Sequence, residues 1–157
     1  MTSINVPFPD TIKATQYEHG RNAMDILILG GTNFLGPHLV AAAQARGHRL
    51  TLFNRGRRDR FPTVENIRGD RNSDLALLQG RHWDAVIDTN GYLPRSVRLS
   101  TEALAHAVER YVFISTISVY ADFSRPGMDE SAPLATLTDA GVEEVTDETY
   151  GGLKVLC

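Results

Sequence analysis

The sequence has few of the features that would take it outside the class of ordinary globular domains. Its 157 residues include one cysteine, Cys157, so an internal disulfide framework is excluded and a reducing, cytoplasmic compartment is expected. The longest apolar runs fall far short of the roughly 20 residues that span a bilayer, so we expect no membrane association. Sixteen Lys and Arg residues against nineteen Asp and Glu residues give a net charge of -3, which makes a nucleic-acid partner an unfavoured expectation.

A metal site is not expected either. The chain has five histidines, and neither they nor the single cysteine show the spacing of metal ligands. The composition, 42% hydrophobic and 22% charged, is close to the globular average and indicates one domain with a sizeable buried core.

The first 23 residues differ from the remainder of the chain. They show neither helical nor strand periodicity, and prolines at positions 7 and 9 interrupt them. We expect residues 1–23 to form a mobile N-terminal extension and residues 24–157 to form the domain.

Strand and helix patterns alternate from Met24 onward, with short connections. This repetition predicts a doubly wound parallel sheet, a Rossmann-like fold of three αβα layers that binds ligands at the carboxyl ends of its strands. Apolar runs predict strands over residues 26–29, 50–53, 64–67, 84–88 and 111–115. Helices are predicted from Pro37 to a stop at Gly47, over 75–78 with Asn72 or Ser73 as the cap and Gly80 as the end, and from Pro94 to about Glu109.

A glycine-rich turn connects the first predicted strand to the first predicted helix. Glycine suits this position because the turn is tight and because the backbone has to approach a pyrophosphate without Cβ atoms in the way. The phosphates then lie at the positive end of the helix dipole. A plain structural turn is the alternative. We expect Phe34 and Leu35 to pack inward, and the predicted cofactor-binding residues here are Gly30, Gly31, Thr32, Asn33, Phe34, Leu35 and Gly36.

The end of the second strand indicates which dinucleotide is bound. NAD sites usually carry an acidic residue there, whereas this chain has Asn54, Arg55 and Arg57. A guanidinium suits a 2′-phosphate, so we expect NADP, with NAD as the alternative and a solvated basic loop as the non-functional interpretation. Later strand ends add further candidate cofactor contacts, which ordinary turn chemistry also explains: Asp70, Arg71, Thr89, Asn90 and Gly91.

A candidate proton-transfer group lies near the C-terminus. Tyr150 and Lys154 are four residues apart, so on a helix the ammonium can lie beside the phenol and favour its ionised form. The end of the fifth predicted strand, residues 115–118, supplies hydroxyl groups at the edge where chemistry is expected. Alone, the Tyr/Lys spacing is typical of many solvated helix faces.

Taken together, these motifs resemble an extended or atypical short-chain dehydrogenase/reductase of the NAD-dependent epimerase/dehydratase type. The resemblance covers residues 24–157 and rests on the glycine turn, Asn54-Arg55-Gly56, Asp70, the 115–120 segment and Tyr150-x-x-x-Lys154. It implies that Tyr150 is the general acid/base, that Lys154 activates it and binds the nicotinamide ribose, and that Thr116 is the catalytic hydroxyl, with Ser115 and Ser118 as substitutes. It also implies hydride transfer at a hydroxyl or keto carbon, such as that of a nucleotide-sugar.

Two positions depart from the family pattern. Asn33 replaces the middle glycine of the turn, and asparagine tolerates unusual backbone angles better than most residues. The sequence also stops three residues after Lys154. We therefore expect the later strands and the substrate domain of the family to be missing, which leaves the fifth strand as an apolar edge.

Several functions compete on this evidence. The first is an NADP-dependent oxidoreductase, epimerase or dehydratase acting on a small molecule, with a homodimer left open. The second is a dinucleotide-binding module without turnover, or an inactive truncated fragment. The third is RNA binding through the basic loop, which the acidic net charge disfavours. That loop contains Arg55, Arg57, Arg58, Arg60 and Phe61.

Overall fold

The computed structural model describes residues 23–57, 60–139 and 141–157. The predicted N-terminal extension, apart from its last residue, and Arg58 of the basic loop lie outside the described residues.

The described residues form five parallel strands and three α-helices, in the alternating order that the sequence predicts. The strands lie side by side as β3-β2-β1-β4-β5. Their bounds are β1 Asp25–Leu29, β2 Arg49–Asn54, β3 Glu65–Arg68, β4 Trp83–Asp88 and β5 Val108–Phe113. The helices are α1 Gly36–Ala45, α2 Pro94–Leu104 and α3 Asp147–Leu156, with short 3-10 helices at Leu75–Leu78 and Ile117–Val119.

The sheet has a buried core on each face, as a doubly wound fold requires. Alternate residues of a strand point to opposite faces, so Leu27 and Leu29 enter one core with Leu104 of α2. Ile26 and Ile28 enter the other core with the side chain of Val40, from α1. All of these side chains are nearly or fully buried. The predicted fold class is therefore confirmed.

The strand order reverses between β1 and β4, where the chain crosses from one side of β1 to the other. β2 pairs with one edge of β1, and β4 pairs with the other edge. The connections that leave the carboxyl ends of β1 and β4 diverge there, and this divergence opens a crevice at a topological switch point.

The predicted end of α2 was wrong. The helix ends at Leu104, not near Glu109, and β5 begins at Val108, three residues before the predicted start. Val108 pairs with Trp83, so pairing with β4 outweighs the helical pattern that continues past Leu104. Among the described residues β5 is the edge strand, and its Val112 is 45% exposed.

The predicted cap of the short helix was also wrong. Asp74 occupies the N-cap of Leu75–Leu78, and no side chain caps the helix. Asn72 and Ser73 bind the carboxylates of Asp70 and Asp74 instead. None of the helices in the described part of the chain combines the length and the apolar character needed to cross a bilayer.

Candidate functional site

A cavity of about 590 Å³ lies at the carboxyl edge of the sheet, at the crevice between β1 and β4. The glycine turn forms one wall, and the segments that follow β2, β3 and β4 form the others. The lining residues are Leu29–Leu35, Phe53–Arg55, Arg57, Gly69–Asn72, Thr89, Asn90, Tyr92, Leu93, Ser96 and Ile114. Thus thirteen of the fifteen predicted cofactor residues line one cavity. The other two are outside the lining: Gly36 lies against Gly31, and Gly91 lies against Phe113 and Val97.

Three glycines of the turn are required by its geometry. Gly30 and Gly31 have φ angles of +97° and +80°, which L side chains rarely adopt. Gly36 has an ordinary φ, but a Cβ at this position would lie 2.6 Å from Gly31 Cα and closer still to the Gly31 carbonyl. Glycine at position 36 therefore lets the start of α1 lie directly against the turn.

The backbone angles of the turn differ from the prediction at two residues. Among the described residues other than glycine, only Phe34 has a positive φ, of +48°. The unusual backbone angle of the turn therefore belongs to Phe34 and not to Asn33. The side chain of Phe34 is 90% exposed, and Leu35 is half-buried. The expectation that Phe34 packs inward was wrong, because the left-handed angle turns its side chain towards solvent.

Polar side chains of neighbouring strand ends hold the turn in place. The Thr89 hydroxyl donates to the Leu29 carbonyl at 2.9 Å and accepts from the Gly31 N–H at 3.2 Å. The Asn54 side chain donates to the Gly30 carbonyl at 3.3 Å and accepts from the Gly56 N–H at 2.8 Å. Thr89 and Asn54 therefore join the glycine turn to the loops after β4 and β2.

The basic side of the cavity lies in the loop after β2. Arg55 and Arg57 line the cavity with exposed side chains. Arg60 crosses from the same loop and donates to the Thr32 carbonyl at 3.4 Å. Positive charge is thus concentrated where a phosphate on the adenosine ribose is expected in such folds.

The residues after β3 use their polar groups in different ways. The Asp70 carboxylate accepts from the backbone and side chain of Asn72 and lies in the cavity wall. Arg71 is 8% exposed, and its guanidinium binds Asp88 through two hydrogen bonds of 2.9 and 2.8 Å. Arg71 therefore faces a buried carboxylate, and its charge is already paired.

The candidate acid/base group lies beside this cavity. The ring of Tyr150 packs against Tyr92, a cavity residue, with a centroid separation of 6.2 Å and an interplanar angle of 39°. The Tyr150 side chain is half-buried on the first turn of α3.

The Lys154 ammonium contacts groups near the cavity other than the predicted partner Tyr150. Its ammonium donates to the carbonyls of Gly91 and Ile114, both at 2.8 Å, and lies 3.9 Å from the centre of the Phe113 ring. Desolvation lowers the pKa of the buried Lys154 ammonium. Since an ammonium has three N–H donors, one remains for a further acceptor.

The predicted hydroxyl groups follow β5 and adjoin α3. Thr116 is the N-cap of the short helix Ile117–Val119, and its side-chain oxygen accepts from Ser118 N–H at 3.2 Å. The Ser118 hydroxyl lies 3.2 Å from the same oxygen, while Ser115 is exposed.

The helix that carries Tyr150 and Lys154 packs unusually close to its neighbours. A Cβ at Gly151 would overlap the Ser118 carbonyl oxygen, and one at Gly152 would lie 2.6 Å from the Leu137 side chain. A capping box between Thr146 and Thr149 fixes the start of this helix. Gly151 therefore lets α3 lie directly against the Thr116–Ser118 turn, and Gly152 lets it lie against Leu137.

Several cavity residues were missed by the sequence analysis. Tyr92 and Leu93 lie in the loop after β4, Ser96 lies in the first turn of α2, and Ile114 follows β5. The position of Tyr92, Leu93 and Ile114 just beyond strand ends is the signal that would have included them. Within the described ranges, no group of three His, Cys, Asp or Glu residues could hold a metal ion.

No family model matches the chain. A curated relative, the chloroplast stem-loop binding protein of 41 kDa b from Arabidopsis thaliana, is 29% identical over 129 residues. The match covers 69% of this chain and 33% of the plant protein, so the chain spans about a third of that relative.

Solved structures share the fold. The Bordetella bronchiseptica enzyme WbmG, in complex with NAD, matches with a TM-score of 0.68 and 18% identity over 86% of this chain and 48% of that one. UDP-N-acetylglucosamine 4-epimerase from Bacillus cereus matches with a TM-score of 0.66 and 22% identity over 86% and 46%. The chain therefore has the Rossmann-like fold of epimerase-type enzymes, over just under half of their length. The resemblance drawn from the motifs is confirmed at the level of the fold.

Proposed function

We propose that the chain is the dinucleotide-binding part of an epimerase/dehydratase-type short-chain dehydrogenase/reductase and that it binds NAD(P) in the cavity of about 590 Å³. The observation that carries the proposal is the glycine cradle. A Cβ at Gly30 would meet the cavity residue Thr89, one at Gly31 would press on the core residue Leu52, and one at Gly36 would overlap the Gly31 carbonyl. Only glycine keeps the turn this tight, as a turn that wraps a pyrophosphate requires. Solved structures with this fold, including WbmG, hold NAD.

The chain's own groups fit the parts of such a dinucleotide. The glycine turn and the N-terminus of α1 suit the pyrophosphate, because the helix dipole and the first N–H groups favour an anion. Asp70 offers a carboxylate to the adenine amino group. Thr89 and Asn90 lie where the cofactor passes over the sheet, and Lys154 offers its third N–H to the nicotinamide ribose.

A thermal-shift titration of the 157-residue chain tests dinucleotide binding. A ligand that binds only the folded state adds about 2.7 kcal/mol of stability at one hundred times its Kd. We expect NADP and NAD each to raise Tm in proportion to the logarithm of their concentration. Unchanged Tm with both dinucleotides at millimolar concentration would refute the proposal.

NADP is the proposed preference, because Arg55 and Arg57 line the cavity and β2 ends in Asn54 rather than in an acidic residue. The double substitution Arg55→Ala/Arg57→Ala is expected to weaken NADP binding by about tenfold or more and to leave NAD binding nearly unchanged. Arg125→Ala, at an exposed arginine outside the cavity, is the matched control. Equal losses of affinity for NADP and NAD would show that these arginines do not bind a 2′-phosphate.

The proposed reaction is hydride transfer at a hydroxyl or keto carbon of a small molecule such as a nucleotide-sugar. The nicotinamide supplies the hydride chemistry when it is bound. Tyr150 takes or returns the proton of the substrate hydroxyl, and Thr116 orients that hydroxyl. Lys154 holds the segments after β4 and β5 in place through the carbonyls of Gly91 and Ile114. An epimerase from Stenotrophomonas maltophila with this fold is solved with bound NAD and formylated UDP-arabinopyranose.

Tyr150→Phe separates this enzyme from a binding module without turnover. The substitution keeps the ring contact with Tyr92 but removes the hydroxyl. If the protein turns over a UDP-sugar, Tyr150→Phe should lose that turnover while its affinity for the dinucleotide stays at the wild-type value. Turnover by Tyr150→Phe at the wild-type rate would exclude Tyr150 as the acid/base.

RNA association is the second candidate, favoured by the name of the plant relative and by the exposed arginines at the cavity mouth. An RNA-binding surface of this kind predicts a Kd for a stem-loop RNA that weakens steeply with salt. Arg55→Ala/Arg57→Ala should then reduce RNA binding. Salt-independent or undetectable binding would exclude this candidate.

A further inference from the structure

A buried polar network lies at the floor of the cavity, centred on Arg71 and Asp88. The Asp88 carboxylate is fully buried and accepts four hydrogen bonds. Two come from Arg71, at 2.9 and 2.8 Å, and the others from the Asn90 N–H at 3.0 Å and the Tyr111 hydroxyl at 2.8 Å. Burial and the neighbouring carboxylate raise the pKa of Tyr111, so its hydroxyl keeps its proton and donates.

The other side of Arg71 binds helix α2. Its guanidinium donates to the Ser96 carbonyl at 3.1 Å and to the Ser100 hydroxyl at 2.8 Å. The Ser96 hydroxyl in turn donates to the Asn72 side chain at 2.7 Å. One network therefore joins the loop after β3, the loop after β4, helix α2 and strand β5.

Stability alone is a poor explanation for this pair. A buried ion pair pays a large desolvation penalty, and apolar residues of similar volume often replace one without loss of stability. Its charges also cancel, so Arg71 adds no net attraction for a phosphate. The position of the pair distinguishes it. Arg71 lies between the cavity residues Asp70 and Asn72, and Asp88 immediately precedes the cavity residue Thr89.

We infer that Arg71 and Asp88 are positioning residues, which hold the two loops that face each other across the cavity at the spacing that a dinucleotide requires. The identity of the ligand as a dinucleotide rests on the proposed function. The coupling of the two loops does not depend on that function, since it follows from the hydrogen bonds and can be measured without a ligand.

The test removes the network while keeping its volume. The triple substitution Arg71→Met/Asp88→Leu/Tyr111→Phe leaves no buried charge or phenol unpaired. Hydrogen exchange is measured on the segments 69–74 and 89–93, with α1 as an internal reference, and NAD and NADP affinities are measured by calorimetry. Arg81→Gln/Glu65→Gln removes an exposed ion pair outside the cavity and is the control.

We expect the folded triple variant to exchange faster at both segments together, with α1 unchanged, and to bind dinucleotide about tenfold more weakly. Exchange and affinity equal to those of the control would overturn the inference. Faster exchange in a protein whose wild type binds neither dinucleotide would support the positioning role and reject the proposed function.

Milder variants cover the case in which the triple variant does not fold. Tyr111→Phe removes one donor to Asp88, and Ser100→Ala removes one acceptor of Arg71. Each should raise exchange at both segments by a smaller factor. If either loosens only the segment nearest to it, or neither, the coupling that we infer is absent.

Discussion

Substituting Gly36 by alanine is the sharpest test of how the glycine turn works. The new Cβ would lie 2.6 Å from Gly31 Cα and would overlap the Gly31 carbonyl, which are backbone atoms that no side-chain rotation can move. Overpacking of this kind typically costs about 1–3 kcal/mol, and the better helix propensity of alanine offsets at most about 1 kcal/mol. A net loss of about 1–2 kcal/mol should lower Tm by roughly 2–8 °C.

The same substitution should weaken dinucleotide binding, because the atoms that move are those of the proposed pyrophosphate cradle. We expect an affinity loss of about tenfold, measured by calorimetry with NADP. Gly47→Ala is the matched control at the other end of α1. A Cβ there meets nothing within 4 Å, but the φ of +74° strains it by about 1–2 kcal/mol. The control should therefore lose stability and keep affinity, and a Gly36→Ala protein with wild-type Tm and Kd would refute the reasoning.

Three further predictions concern helix α3. Gly151→Ala should lower Tm and raise hydrogen exchange in α3, because its Cβ would overlap the Ser118 carbonyl oxygen; unchanged exchange would contradict the close packing. Burial lowers the pKa of Lys154 below its ordinary 10.5, so the unfolded chain binds that proton more tightly than the folded chain does. The free energy of unfolding of the wild type, relative to that of Lys154→Met, should therefore rise with pH between the lowered pKa and 10.5. Denaturation at several pH values measures this difference. Burial raises the pKa of Cys157, so a thiol reagent at pH 8 should modify it more slowly than it modifies free cysteine, and an equal rate would disprove this.

The elements that the sequence predicts well are those that the local sequence determines. Strands β1, β2 and β4 are found within one residue of the predicted bounds, because short, mostly apolar runs ended by glycine or polar residues are typical of a strand buried on both faces. The end of α2 was mispredicted because Val108 shares the helical spacing of Val97 and Leu104, while the pairing of Val108 with Trp83 is a contact between distant segments.

The candidate site divides in the same way. Its glycine turn and basic loop are local motifs, and they line one cavity as the pattern indicates. The partners of Lys154 could not be predicted, since a spacing of four residues indicates a helical neighbour but says nothing of carbonyls 63 and 40 residues away. The pairing of Arg71 with Asp88, 17 residues apart on two different strand ends, was hidden for the same reason.

The two hydrogen bonds of Lys154 also bear on the order of folding. The two acceptor carbonyls follow β4 and β5 and are brought together by the pairing of those strands, so Lys154 can bind both of them only after that pairing has formed. We expect the five strands to assemble before α3 docks, so that the segments that carry Gly91 and Ile114 become rigid in the last step. Dinucleotide binding added during refolding would then report completion of the fold, and it should lag behind the formation of the sheet.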